Sequence, residues 1–275
     1  MINSLEDIKK FLNDKSFRKI FLLCGKKSFI TSGAQKFFKN VIVKQKLKIF
    51  YKNSELPILE ELIDIINNIK NFKPDLILVS VLESTYYLAI DLLRSIPEKD
   101  RKFKTLFGGV FATYAADKVI KNDLVDYVCR GEGEGAVVEM ANALCSGGRI
   151  DQIKNFTIKG DGKIYRNGMR APIDIDTVPI PDWDLFEKGS LYRPMQGKIW
   201  RAVGFETQRG CPYTCTFCNS PSNNVEYKAE TGGRFHRKKS IERMRKELDF
   251  LVKKYDPNLI YFVVETFLAM SNREF

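Results

Sequence analysis

Three of the chain's six cysteines, Cys211, Cys215 and Cys218, stand together in the run RGCPYTCTFCNSP. Thiolates this close in sequence can converge on one metal centre. Iron–sulfur clusters are ordinarily held by cysteine thiolates, and three protein ligands on a four-iron, four-sulfur cluster leave one iron open to bind and activate a small molecule. A structural zinc site instead takes four ligands in a tetrahedron. Here the fourth would have to come from His236 or Cys145, both far away in sequence. His236 is the chain's one histidine, so zinc centres and acid–base schemes that need two histidines are excluded.

The elements that must position these cysteines read as a second α/β unit: a strand over 202–207, the cysteine loop, a helix over 240–254 and a strand over 259–264. Upstream, short apolar runs at 18–24, 47–51, 75–81, 105–107 and 125–129 alternate with helical patterns at 34–41, 56–69, 86–96, 112–121 and 135–145. Strand and helix in alternation imply a parallel sheet wrapped by helices on both faces. Strands without polar alternation fit burial on both sides. In such sheets ligands bind over the carboxyl ends of the strands. Small and polar residues cluster at three of those ends: Ser80 to Thr85, Gly108-Gly109, and Gly131 to Glu134. The run FTIKGDGKIYR over 156–166 reads as a hairpin, and Pro172, Pro179, Pro181 and Pro194 mark an extended linker.

With 44% hydrophobic and 29% charged residues in 275, wholesale disorder is excluded. No apolar run approaches the ~20 residues needed to cross a bilayer. The opening MINSLEDIKKFLNDKSF resembles neither a secretory signal nor a transit peptide, which points to the cytoplasm. In that reducing compartment the cysteines are metal ligands or free thiols rather than disulfides. The net charge of +11 is scattered, and its densest cluster, RFHRKK at 234–239, is short. Nucleic acid is therefore not the expected partner, although a zinc-binding nucleic-acid module is the reading that charge and cysteines would support together. Cys24, Cys129 and Cys145 read as buried thiols, His236 as a surface residue, and Trp183 and Trp200 as packing between the two halves.

The Cys-x3-Cys-x2-Cys loop after the first strand of an α/β unit resembles the signature of radical S-adenosylmethionine enzymes, with Phe217 as the aromatic residue usual before the third cysteine. The resemblance implies a 4Fe–4S cluster on Cys211, Cys215 and Cys218, S-adenosylmethionine on its open iron, and an electron donor such as flavodoxin or ferredoxin. The segments DLILVSVLEST, LFGGVFAT, VDYVCRGEGE and PIPDWDLF resemble, in order and spacing, the cobalamin-binding domain and connecting segment that precede some radical S-adenosylmethionine domains. By that similarity Ser80, Ser84, Thr85 and Thr113 face the corrin or its nucleotide tail. Gly108 and Gly109 allow its close approach, and Gly131, Glu132, Gly133 and Glu134 border the tail. Glu265, in IYFVVETF, stands where the family often has an acidic pair near the amino group of S-adenosylmethionine; here the pair is Val264-Glu265.

The expected architecture is therefore a Rossmann-like cobalamin-binding domain over 1–148, a linker with a hairpin over 149–200, and the first units of a radical S-adenosylmethionine partial (β/α) barrel over 201–275. The remaining barrel units are missing, so the chain reads as truncated at its carboxyl end. The function implied is methyl transfer or related radical chemistry, with a non-catalytic cobalamin- and cluster-binding fragment as the alternative. Two departures stand out. No histidine precedes His236, so none is available as a lower axial ligand to cobalamin. Residues 18–75 also resemble the opening of an iron-dependent alcohol dehydrogenase, but VSVLES replaces that family's glycine-rich loop and its metal-binding histidines are lacking.

Overall fold

The computed structural model describes residues 19–24, 46–51, 59–186, 188–267 and 269. The helical pattern expected at 34–41 lies outside them. The dehydrogenase-like opening is described only in part: its two strands join the main sheet, and its helix Leu59–Phe72 packs on it. That sheet has seven strands in the order β2-β1-β3-β4-β5-β6-β7. They are β1 Lys19–Cys24, β2 Lys46–Tyr51, β3 Leu76–Ser80, β4 Lys104–Gly108, β5 Tyr127–Cys129, β6 Phe156–Gly160 and β7 Lys163–Arg166. The first five run parallel, as the short apolar runs require; β6 and β7 add on antiparallel. The hairpin expected within the linker thus extends the first sheet. Its Asp161-Gly162 turn has positive φ at both residues, and Phe156 and Ile158 point into the core.

The parallel strands are covered on both faces by α1 Leu59–Phe72, α2 Glu83–Ser95, α3 Val110–Tyr114, α4 Ala116–Ile120 and α5 Glu134–Ser146. Period-two alternation sorts the side chains of β3. Ile77 and Val79 enter the core shared with Tyr86, Leu93, Phe111 and Val119, whereas Leu76 and Leu78 enter the opposite core with Ala136, Met140 and Phe156. Each fully buried aliphatic side chain of this kind contributes about 1.5–3 kcal/mol. The single helix expected over 112–121 breaks at Ala115, which separates α3 from α4.

The second unit holds a three-stranded sheet, β12-β9-β8, built from β8 Tyr192–Met195, β9 Lys198–Phe205 and β12 Leu259–Phe262. β9 and β12 run parallel, joined through the cysteine loop, α6 Ser220–Thr231 and α7 Ile241–Tyr255. A small ladder of β10 Gln208–Arg209 and β11 Arg237–Lys238 ties the chain before the cysteine loop to the chain before α7. α7 starts at Ser240, whose hydroxyl accepts from Arg243 N (3.1 Å), and buries Glu247, Leu251 and Tyr255 at four-residue spacing. The sequence pattern did not disclose α6. Only Ser220 and Tyr227 of that helix are buried, so it lacks an apolar stripe.

Trp183 packs on Val203, Phe205, Leu251 and Tyr255 within the second unit, and Trp200 Nε1 donates to Met195 O (3.0 Å) across the β8–β9 turn. Neither tryptophan packs between the halves, contrary to expectation, because each finds its partners within its own unit. Cys129 is buried, but Cys145 is exposed at the end of α5.

Candidate functional site

The carboxyl ends of β3, β4 and β5 open on a cavity of about 530 Å³, which the second unit closes from the other side. Its first wall carries Ser80, Val81, Leu82, Thr85, Gly109, Val110, Thr113 and the loop Gly131 to Glu134. Its second wall carries Glu206, Gln208, Arg209 and Gly210 before the cysteine loop, Cys218 at the loop's end, then Asn219, Ser220, Asn223 and Tyr227 after it, with Glu265 from the segment following β12.

The first wall is shaped by backbone. Val81 N donates to Gly108 O (2.9 Å) and Phe111 N to Val81 O (3.2 Å), locking the ends of β3 and β4 together. Gly109 sits at φ +90°, and a side chain there would meet Ser80 Oγ and Val81 O, each at 2.9 Å. Gly108 is different. A Cβ there would meet nothing closer than 3.9 Å, and the residue is not on the cavity wall. Thr113 Oγ1 donates to Gly109 O (2.9 Å) and accepts from Gly131 N (3.1 Å), so its hydroxyl joins two of the loops.

Ser84, expected to face the ligand, is exposed and lies outside the cavity. The reason is helical: α2 starts at Glu83, and Thr85 turns back to cap it, accepting from Leu82 N (2.9 Å), while Ser84 falls on the solvent side of the first turn. Phe217 is 90% exposed and also lies outside the cavity lining.

Charge joins the second wall to the first. Arg209 is nine-tenths buried and donates to Glu134 (2.7 Å), Glu132 (3.1 Å) and Glu206 (3.1 Å). Glu132 pairs as well with Arg237, and its second oxygen accepts from Ile173 N (2.9 Å). Burial opposes the charge on Arg209, but Glu134, Glu206 and Glu132 together hold its pKa above the ordinary value. Burial raises the carboxyl of Glu206, against the opposing pull of Arg209 and Lys239. Burial likewise raises the phenol of Tyr227, which is neutral, stacks on Phe235 and accepts from Glu132 N (3.1 Å). The buried Cys129 thiol is pushed up to about 12, chiefly by loss of solvent and then by Glu134, so it is inert. Glu206, Arg209 and Tyr227 carried no motif of their own in the sequence.

Cys211 is buried, and its carbonyl accepts from Asn224 Nδ2 (2.8 Å) on α6. Cys215 and Cys218 are exposed and joined by a turn bond, Cys218 N to Cys215 O (3.1 Å). Of the three, Cys218 lines the cavity. Among the described residues no three His, Cys, Asp or Glu side chains are gathered closely enough to hold a metal ion. The donor set nevertheless fits a thiolate-ligated cluster, with three sulfurs on one loop anchored at both ends. Its exposed cysteines can move without disturbing a packed core. His236 stands beside Gln208, with Nε2 and Oε1 3.4 Å apart.

A family profile for the B12 binding domain matches residues 51–141, the stretch that forms the first wall. The chain carries a B12-binding domain. Among relatives, an uncharacterized methyltransferase of Pyrococcus horikoshii is 30% identical over 215 residues, covering 76% of this chain and 44% of the relative. The anaerobic magnesium-protoporphyrin IX monomethyl ester cyclase of Rubrivivax gelatinosus is 28% identical over 68% of this chain and 33% of the relative. The chain thus spans less than half the length of these relatives. Among solved structures, the cobalamin-dependent S-adenosylmethionine radical enzyme OxsB superposes over 98% of this chain and 36% of its own, with a TM-score of 0.69 at 21% identity. The radical S-adenosylmethionine methyltransferase TsrM of Kitasatospora setae does so over 90% and 48%, with a TM-score of 0.58 at 15% identity. The chain shares the fold of these solved structures over the superposed residues. Among the described residues no helix is long and apolar enough to cross a membrane.

Proposed function

We propose that this chain is the cofactor-gathering part of a cobalamin-dependent radical S-adenosylmethionine enzyme that carries out methyl transfer or related radical chemistry. The observation that carries this reading is one cavity shared by both units, walled on one side by the strand ends of the B12-binding domain and on the other by the cysteine loop's flanks. Relatives and neighbours named as methyltransferases, a methylase and a cyclase support the same class of reaction.

Cys211, Cys215 and Cys218 would hold a 4Fe–4S cluster, and the loops at Ser80, Gly109 and Gly131 would receive cobalamin. When bound, the cluster supplies the electron that cleaves S-adenosylmethionine, and cobalamin carries the methyl group. The chain's own residues hold and orient these groups. Gly109 and Gly131 let the strand-end loops pack closely, Gly109 against Ser80 and Val81 and Gly131 against Tyr227. Thr113 fixes the two glycine loops to each other. Glu265, exposed on the second wall, would receive the ammonium of S-adenosylmethionine. The electron comes from a donor of the flavodoxin or ferredoxin type in a reducing cytoplasm.

Titration of hydroxocobalamin into the purified chain, followed by its absorption spectrum, tests the reading. Saturable one-to-one binding is expected. A spectrum identical to that of free hydroxocobalamin at every ratio would overturn it.

A further inference from the structure

Glu132 was expected to border the ligand's tail, yet its carboxylate is already occupied on both oxygens. One oxygen accepts from Arg209 Nη1 (3.1 Å) and from Arg237, and the other accepts from Ile173 N (2.9 Å). Arg209 stands two residues before Cys211, and Arg237 pairs with it across the β10–β11 ladder. The neighbouring residues of the same loop grip the far side of the cysteine run. Arg130 donates to Glu226 (2.6 Å) and Glu230 (3.0 Å) on α6, and Glu132 N donates to Tyr227 on that helix. Gly131 lies so close to Tyr227 that an added Cβ would sit 2.3 Å from its hydroxyl oxygen. A single loop of the B12-binding domain therefore holds both the entry to the cysteine loop and its exit.

We propose that Glu132 is a positioning residue rather than a ligand contact, and that through it cobalamin binding and cluster assembly are thermodynamically linked. This rests on the reading that the cavity takes cobalamin and the three cysteines take the cluster. A ligand seated against the loop at Gly131 bears, through Glu132 and Arg130, on the flanks from which Cys211, Cys215 and Cys218 must converge. Linkage is reciprocal, so an assembled cluster must tighten cobalamin binding by the same factor.

The test titrates hydroxocobalamin into the full chain before and after anaerobic reconstitution with iron and sulfide. It uses the natural sequence, Glu132→Gln and Arg237→Gln. For the natural chain the dissociation constant should fall on the order of tenfold on reconstitution. In both variants the ratio of the two constants should approach one. A residue with a merely structural role would shift both constants together and leave their ratio intact, so an unchanged ratio in the variants overturns the proposal. Equal constants in the natural chain overturn it as well, while leaving the proposed function standing. Failure of the natural chain to bind cobalamin or to take up a cluster would overturn the proposed function and this inference with it.

Discussion

The two walls of the cavity are built by different means. The B12-binding side rests on apolar strands buried on both faces, and its cavity-facing loops are fixed by backbone bonds at Val81 and Phe111 and by the Thr113 hydroxyl at Gly131. The cysteine side is held to it through buried charge, Arg209 pairing with Glu206 of its own unit and with Glu132 and Glu134 of the first wall, and it leaves Cys215 and Cys218 exposed. One half is thus shaped by apolar packing within its own unit, whereas the other carries exposed thiol donors on a loop tied down at its flanks. Packing of apolar side chains sets the first geometry without a ligand. Charge pairing anchors the ends of the second and leaves its middle free to close.

The most severe way to break this contrast is to disturb the point where the walls meet. Gly131 has φ +66°, and Gly131→Val places a branched side chain against Tyr227 Oη in a backbone region such residues avoid. Overpacking and strain together should cost about 3 kcal/mol or more in urea denaturation. Gly108→Ala, with its nearest atoms 3.9 Å away, should change stability by less than about 1 kcal/mol. Equal costs at the two glycines would show that the close contact with Tyr227 does not join the walls.

A smaller effect sharpens the account of the charged wall. Burial raises the Glu206 carboxyl, so the folded state keeps that proton to higher pH than the unfolded state does. The folded state then binds more protons, and stability falls as pH rises from the unfolded carboxylate value of about 4.3 through the raised one. Glu206→Gln keeps an acceptor for Arg209 Nε and removes the titration. Thermal melts between pH 4 and pH 8 should therefore show a flatter profile, with stability at neutral pH equal to or above that of the natural chain. A variant that loses stability at neutral pH and gains it at acid pH would contradict the assignment.

Much of the first wall was legible in the sequence because its causes are local. Short aliphatic runs ending in Ser80, Gly108 and Cys129 announce parallel strands, and strand ends are where small residues and ligands meet. The cysteine loop was legible from spacing alone. The helix α6 was not, because its contacts with the B12-binding domain run through Glu226, Tyr227 and Glu230 to residues almost a hundred positions upstream. Ion pairs of that span leave no periodic trace. The same blindness hid the role of Arg209, whose partners Glu132 and Glu134 stand 77 and 75 positions upstream. Ser84 was misplaced for a finer reason, since a shift of one residue on a helix rotates a side chain by about 100°.

On the proposed reading, Cys211, Cys215 and Cys218 close on a cluster at the edge of the shared cavity. Anaerobic reconstitution with iron and sulfide, read by electron paramagnetic resonance after reduction, tests it most directly. The natural chain should give a four-iron signal that changes on adding S-adenosylmethionine, and a variant with Cys211, Cys215 and Cys218 all replaced by alanine should give none. The same signal in both, or stoichiometric zinc and no iron in the natural chain, would contradict it.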